Sequence, residues 1–194
     1  MTFVLVFAFP NSTVMETIPN IIEAIEVAFR DTPLGEIGPF EAEAIDDYAG
    51  DEWRAKEREI DESRRWFEYS DFEIEKCVHA LCHFDPAGWR HFIPAYMTWT
   101  LRHFSRTDLI LVNYTIYSFD PCEHDPYLWP SKLQRFELLN QTQINAVCRF
   151  LRFMAAHPTI VDGEMAKLAL DRYWERFCHD CANGRPGEVS VESC

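Results

Sequence analysis

His83-Phe84-Asp85-Pro86-Ala87-Gly88-Trp89-Arg90-His91-Phe92-Ile93-Pro94-Ala95-Tyr96-Met97 sets two prolines and a glycine among a dense run of aromatic and imidazole rings. Asp85-Pro86 reads as a helix N-cap followed by proline at the first helical position, where a missing N–H costs nothing. Pro94 removes one helical hydrogen bond, so a kink or restart is expected there. Beyond it Tyr96, Trp99 and His103 share one face. The stretch speaks to backbone architecture and carries no evident reaction chemistry.

Working upstream, Ser70-Asp71-Phe72-Glu73 has the S-x-x-E pattern of a capping box. Ile74, Cys77, Val78, Leu81 and Cys82 follow at helical spacing and predict one continuous helix. Glu41 to Tyr48 and Trp53 to Phe67 are candidate helices, with Gly50-Asp51 between them. Arg54/Arg58 and Glu57/Asp61 offer i,i+4 charge pairing within the second. Ile21, Ile25, Ala28 and Phe29 form an amphipathic stripe, with Pro19 near its start and Asp31-Thr32-Pro33-Leu34-Gly35 beyond its end. The opening run Phe3 to Phe9 reads as a short buried strand or core-packing arm. No basic residue precedes it, since the first Lys or Arg is Arg30, and a signal peptide is not expected.

Working downstream, Thr107-Asp108 starts a segment whose apolar arc through Leu109, Val112, Ile116 and Phe119 is wide enough for a central helix. A strand is the minor alternative, because Val112, Tyr114 and Ile116 favour β structure. Pro126 and Pro130 mark a loop. Asn140-Gln141-Thr142-Gln143 opens a helix with the stripe Ile144, Val147, Cys148, Leu151, Met154, stopped by His157-Pro158. A last helix is expected over 162–178, and a frayed tail over 181–194. The fold class is therefore all-α: a compact single-domain bundle over 1–180, with about six to eight helices.

The chain has 194 residues, 47% hydrophobic and 14% aromatic, which suffices for a large core and excludes wholesale disorder. No apolar run approaches the ~20 residues that span a bilayer. Seven cysteines are scattered, most of them within apolar stripes. They suggest reduced thiols in a cytoplasmic protein rather than a disulfide framework.

Net charge is −14, and residues 36–75 hold 15 acids against 5 bases. That block disfavours nucleic acid and anionic membranes and favours a basic protein partner or a solvated face. Its candidate partner-binding residues are Glu41, Glu43, Asp46, Asp47, Asp51, Glu52 and Trp53. Trp53, Trp66, Phe67, Tyr69 and Phe72 interleave the acids, with Trp66 and Phe67 read as core.

Other constellations point to less. His79 and His83 stand four apart, as metal ligands on a helix do. Ala80-Leu81-Cys82 nevertheless lies where a zincin has its glutamate, so structural or surface roles are expected. Cys178-His179-Asp180-Cys181 would need a second ligand pair, such as Cys122 and His124, to hold zinc. There is no G-x-S-x-G and no glycine-rich phosphate loop. Cys77, Cys82 and Cys148 read as small core hydrophobes. No catalytic residue, metal or cofactor is assigned.

The run His79-Ala80-Leu81 and Phe84-Asp85-Pro86-Ala87-Gly88-Trp89-Arg90-His91-Phe92-Ile93-Pro94-Ala95 resembles a family of small bacterial helical proteins of unknown function. Ile93 stands for its usual leucine and His91 for an aromatic residue. The resemblance spans about 19–156, leaves the 162–178 helix outside, and implies a compact helical fold, a cytoplasmic location and no established activity. Size, one-sided acidity and the lack of catalytic motifs lead to an expected function. The chain reads as a non-enzymatic binding protein, an immunity protein or antitoxin that covers a basic toxin. A metal-dependent hydrolase or other enzyme using His79, His83 and nearby carboxylates, or an oligomeric assembly subunit, are the alternatives.

Overall fold

The helix that begins at Asp85 organises the chain. In the computed structural model, which describes residues 16–106 and 110–179, α6 (Pro86–His103) is buried at every position from His91 to Leu101. A helix apolar all round belongs at the centre of a bundle. Asp85 caps it, accepting from the Ala87 N–H at 3.1 Å. Arg102 and His103 end it, favourably placed against the carbonyl end of the helix dipole. The helix runs through Pro94 as one element, without the restart expected there. Complete burial of the flanking side chains holds the turn that lacks its hydrogen bond.

Around α6 pack α1 (Ile18–Phe29), α4 (Asp71–Lys76), α7 (Ile110–Ser118) and α8 (Leu128–Phe136). An outer set comprises α2 (Pro39–Asp46) against α3 (Asp51–Glu62) and α5 (Ala80–His83), and α9 (Gln141–Ala155) against α1 and α10 (Gly163–Ala169). After α10 the chain continues through a π turn, Leu170–Trp174, and a 3-10 turn, Glu175–Phe177. Ten α-helices and no strand occur among the described residues. The all-α class stands, but there are more and shorter helices than expected. The Phe3–Phe9 strand or arm, the Thr107-Asp108 helix start, Cys181 and the tail lie outside the described residues.

Three local readings are corrected. The continuous helix expected after Ser70 breaks at Cys77, although its capping box forms, with Ser70 and Glu73 exchanging bonds of 3.3 and 2.8 Å. Tertiary partners replace helical ones there. The His79 N–H donates to Glu43 Oε2 at 3.1 Å, and the Cys77 carbonyl accepts from the Tyr96 hydroxyl at 2.9 Å. The Pro126–Pro130 loop contains the start of α8, with Pro130 in the first turn, where N–H groups have no intrahelical partner. The apolar segment after Thr107 is helical, as preferred, but Ile110 and Tyr117 of α7 reach the surface. The central position belongs to α6.

The cysteines are not all reduced: Cys148 of α9 is joined to Cys178 by a disulfide, with 6.1 Å between their Cα atoms. Cys148 does sit in the core stripe of α9, so its apolar setting concealed a covalent partner thirty residues on. Of the two rings read as core, Trp66 is buried and donates Nε1–H to the Phe29 carbonyl at 3.2 Å, whereas Phe67 is exposed.

Polar groups on α6 tie it to four neighbouring segments. Asp85 Oδ1 accepts from the Glu36 and Ile37 N–H groups at 3.1 and 3.0 Å. His91 Nδ1 lies 2.8 Å from the Thr32 carbonyl, and its Nε2 accepts from the Trp66 N–H at 3.2 Å. Arg90 Nε donates to Gln143 Oε1 at 3.0 Å, and Trp99 Nε1 to the Asp71 carbonyl at 3.1 Å. Arg135 of α8 gathers the end of α5, donating to the carbonyls of Leu81 at 3.0 Å and Phe84 at 2.9 Å.

The crossing of 35–37 over the start of α6 requires glycine on both sides. A Cβ on Gly35 would lie 1.9 Å from the Gly88 nitrogen, and one on Gly88 would lie 2.5 Å from the Ile37 carbonyl oxygen. Gly88→Ala must push the two backbones apart and should lower unfolding free energy by roughly 1–3 kcal/mol. Gly50→Ala, with no atom within 4 Å of the added carbon, should change it by less than about 1 kcal/mol. Urea denaturation of the two variants reads the contrast, and equal effects would contradict the crossing.

Candidate functional site

The six candidate acids, taken with Asp61, fall into three groups once folded. The first is buried. Gly38, at the N-cap of α2, has no side chain to offer, so Asp61 of α3 reaches across to the helix start. Its carboxylate accepts from the Glu41 N–H at 2.9 Å, the Phe40 N–H at 3.3 Å and the Tyr69 hydroxyl at 2.7 Å. Glu41, one turn into α2, is fully buried. It is clamped by Arg58, whose Nε donates to Oε2 at 2.7 Å and whose Nη2 pairs with Oε1, and by Arg54 at 3.3 Å. Arg54 and Arg58 therefore serve α2 rather than pairing along their own helix. Glu41 is withdrawn from any contact face, which corrects its place among the candidate partner-binding residues.

The second group is engaged with histidine. Glu43 accepts both the backbone N–H and the ring Nδ1 of His79, at 3.1 and 3.0 Å. Asp46 lies 2.9 Å from His83 Nε2 and 3.4 Å from His79 Nδ1. The hydrogen bond to Glu43 raises the His79 pKa above its ordinary value, with the charges of Glu43, Asp46 and Asp47 adding to it. The two histidines thus do meet, as partners of the α2 carboxylates. They lock α5 onto α2. Among the described residues no group of three or more His, Cys, Asp or Glu side chains is arranged to hold a metal ion.

The third group faces solvent: Asp47 at the end of α2, and Asp51 and Glu52 in the first turn of α3. Trp53 is half exposed, its Nε1 donating to Glu57 at 2.9 Å, and Glu52 makes an exposed pair with Lys56 at 3.1 Å. An exposed pair of that kind is worth well under about 1 kcal/mol and leaves Glu52 available.

One residue of this face was missed. Tyr48 follows Asp47 with φ 56° and is 97% exposed. Its N–H donates to the Ile45 carbonyl at 3.1 Å, and the Ala49 N–H donates to the Ala44 carbonyl at 2.9 Å. These are the two bonds of a Schellman ending, in which the left-handed residue is usually glycine. Tyrosine there carries a conformational cost of roughly 1–2 kcal/mol. Its only sequence sign is that the left-handed position falls two residues before Gly50, so the glycine comes too late to occupy it.

Burial pushes the Asp61 carboxyl up to about 6, against the opposing pull of its three donors. A pKa raised on folding means that the protonated form is favoured in the folded state. The contribution is fully present below the unfolded value near 4 and is lost as pH rises through about 6. From pH 4 to 7 the wild-type chain should therefore lose up to about 3 kcal/mol of stability relative to Asp61→Asn. Denaturant unfolding of both proteins across that range measures it, and a pH-independent difference would contradict it.

No curated protein and no solved structure matches the chain. A family model does, over residues 17–178. The match extends through α10 and the π turn to Cys178, which corrects the expectation that similarity stops near 156 and that the last helix is particular to this protein. From α1 to the final 3-10 turn, the chain belongs to a family of unknown function, DUF6714.

Proposed function

We propose that this protein is a non-enzymatic binding protein of the immunity-protein or antitoxin kind. It would neutralise a basic toxin by direct contact through the junction of α2 and α3. The observation that carries the reading is Tyr48, a fully exposed ring held at φ 56° between two acidic helix ends. A strained, solvated aromatic side chain contributes nothing to the fold, whereas an exposed tyrosine beside a half-exposed tryptophan is what an interface anchor requires. Asp47, Asp51 and Glu52 surround it and supply the field that would speed encounter with a cationic partner. The buried Glu41 and the histidine-bound Glu43 and Asp46 position this face without belonging to it.

The same acids disfavour nucleic acid as the partner. No helix among the described residues is long and apolar enough to cross a membrane. The reading implies a cytoplasmic site of action, and the Cys148–Cys178 disulfide is the feature in tension with that location.

The test separates stability from binding. Tyr48→Gly removes the left-handed strain, of about 1–2 kcal/mol, at an entropic cost of about 0.5–1 kcal/mol. It should raise the melting temperature by about 2–3 °C while weakening partner capture. Immobilised wild-type protein should retain a basic protein from an extract of the source cells at low salt and release it at high salt. D47K/D51K/E52K should fail to retain it while remaining folded. Retention of the same proteins by wild type and triple variant would refute the proposal.

A further inference from the structure

A cavity of about 340 Å³ lies between α5, α7 and α8. Leu81, Tyr114, Tyr117 and Leu128 supply apolar walls, and Lys132 and Arg135 of α8 also line it. Three residues apart on one helix, these two cations share a face. Arg135 is more than nine-tenths buried. Its terminal nitrogens are spent on the carbonyls of Leu81, Cys82 and Phe84, while its Nε has no hydrogen-bond partner. Lys132 Nζ donates to the carbonyls of Tyr117 and Ser118, each at 3.0 Å. No carboxylate lies within ion-pair distance of either side chain among the described residues.

That arrangement is unusual for this chain. With 32 acids to 18 bases, a counter-charge is the easiest thing for it to supply. Its other arginines and lysines include several paired with carboxylates: Arg54, Arg58, Arg64, Arg102 and Lys167. Carbonyl dipoles satisfy hydrogen-bond donors but do not neutralise charge. A buried cation without a counter-ion is costly unless something compensates it. Burial accordingly pulls the Lys132 ammonium down to about 8. Asp120 acts on Lys132, and Asp85 on Arg135, only from beyond ion-pair distance. Two cations without a contacting carboxylate and four apolar side chains around one void describe a site for a ligand with a negative head and a hydrocarbon body. The volume sits at the low end of the ~300–1,000 Å³ typical of ligand pockets, so the ligand is small.

We propose that the cavity between α5, α7 and α8 binds a small apolar carboxylate, its anionic group held by Lys132 and Arg135 and its hydrocarbon body lying against Leu81, Tyr114, Tyr117 and Leu128. The site is separate from the Tyr48 face and stands whether or not that face binds a toxin.

Octanoate is the probe, with octanol and octylammonium as matched neutral and cationic controls, read by calorimetry and ligand-observed NMR on the full chain. Octanoate should bind at millimolar concentration or below, and octanol and octylammonium at least about tenfold more weakly, the equivalent of one charge-assisted contact. Lys132→Met should weaken octanoate binding about tenfold. Because Lys132 also holds the end of α7, Ser131→Trp provides a second variant. Ser131 is exposed at the cavity edge, so the substitution blocks the void without disturbing the core and should abolish binding. Octanol binding as tightly as octanoate, undiminished binding to Ser131→Trp, unchanged affinity in a folded Lys132→Met, or no octanoate binding to wild type would each overturn the assignment.

Discussion

The structure depends on burying α6 from all sides while pairing most of its polar groups, although Trp89 Nε1 and Thr100 Oγ1 are buried without a partner. A helix that touches solvent on one face can leave its polar side chains there. From His91 to Leu101 this one has no such face, so His91, Tyr96 and Trp99 find partners on neighbouring elements and Thr98 bonds back to the Ala95 carbonyl of its own helix. Asp85 finds the backbone at 36–37, His91 bridges the 29–32 turn and the start of the 3-10 turn at Trp66, and Trp99 reaches the first residue of α4. These bonds are specific to direction and distance in a way that apolar packing is not. They set which loop lies over which turn of α6, and the Gly35–Gly88 crossing sets how closely.

The same economy governs the acidic block. A run of 15 acids in forty residues looks uniform on paper, yet its members have different tasks. Asp61 substitutes for a missing cap, Glu41 is an internal anchor for two arginines, and Glu43 and Asp46 fasten α5 through its histidines. Among the candidate acids Asp47, Asp51 and Glu52 face solvent, and elsewhere in the block Glu36, Glu59 and Glu62 are exposed as well. The face at the junction of α2 and α3 is thus narrower than the composition of the block implies, and its most exposed ring is Tyr48.

What could be read from the residues follows from how local each cause is. The starts of α6 and α9 were legible because their caps lie within three residues of the helices they begin, and the stripe of α1 because burial on one face leaves a period. The break at Cys77 was not, since Glu43 and Tyr96 cause it from 36 and 19 residues away. Glu41 could not be told from Glu43 by sequence density, because its burial depends on two arginines of the next helix. Likewise, nothing in the stripe of α9 marks Cys148 as the partner of Cys178. His91, first noted as a substitute for an aromatic residue, keeps the aromatic role, with its ring edge-on to Phe92 at 4.6 Å, and adds two hydrogen bonds.

His91 is therefore where the central claim can be tested. If it bridges the Thr32 carbonyl and the Trp66 N–H, its ring must be neutral, with the proton on Nδ1 and the lone pair on Nε2. Burial, which lowers its pKa, acts in the same direction. Long-range ¹H–¹⁵N correlation spectra of the imidazole nitrogens, recorded as pH falls through the ordinary histidine value of about 6.5, report tautomer and charge together. The account predicts a neutral Nδ1–H ring that does not titrate at that value. A ring protonated near 6.5, or one carrying its proton on Nε2, would contradict the account.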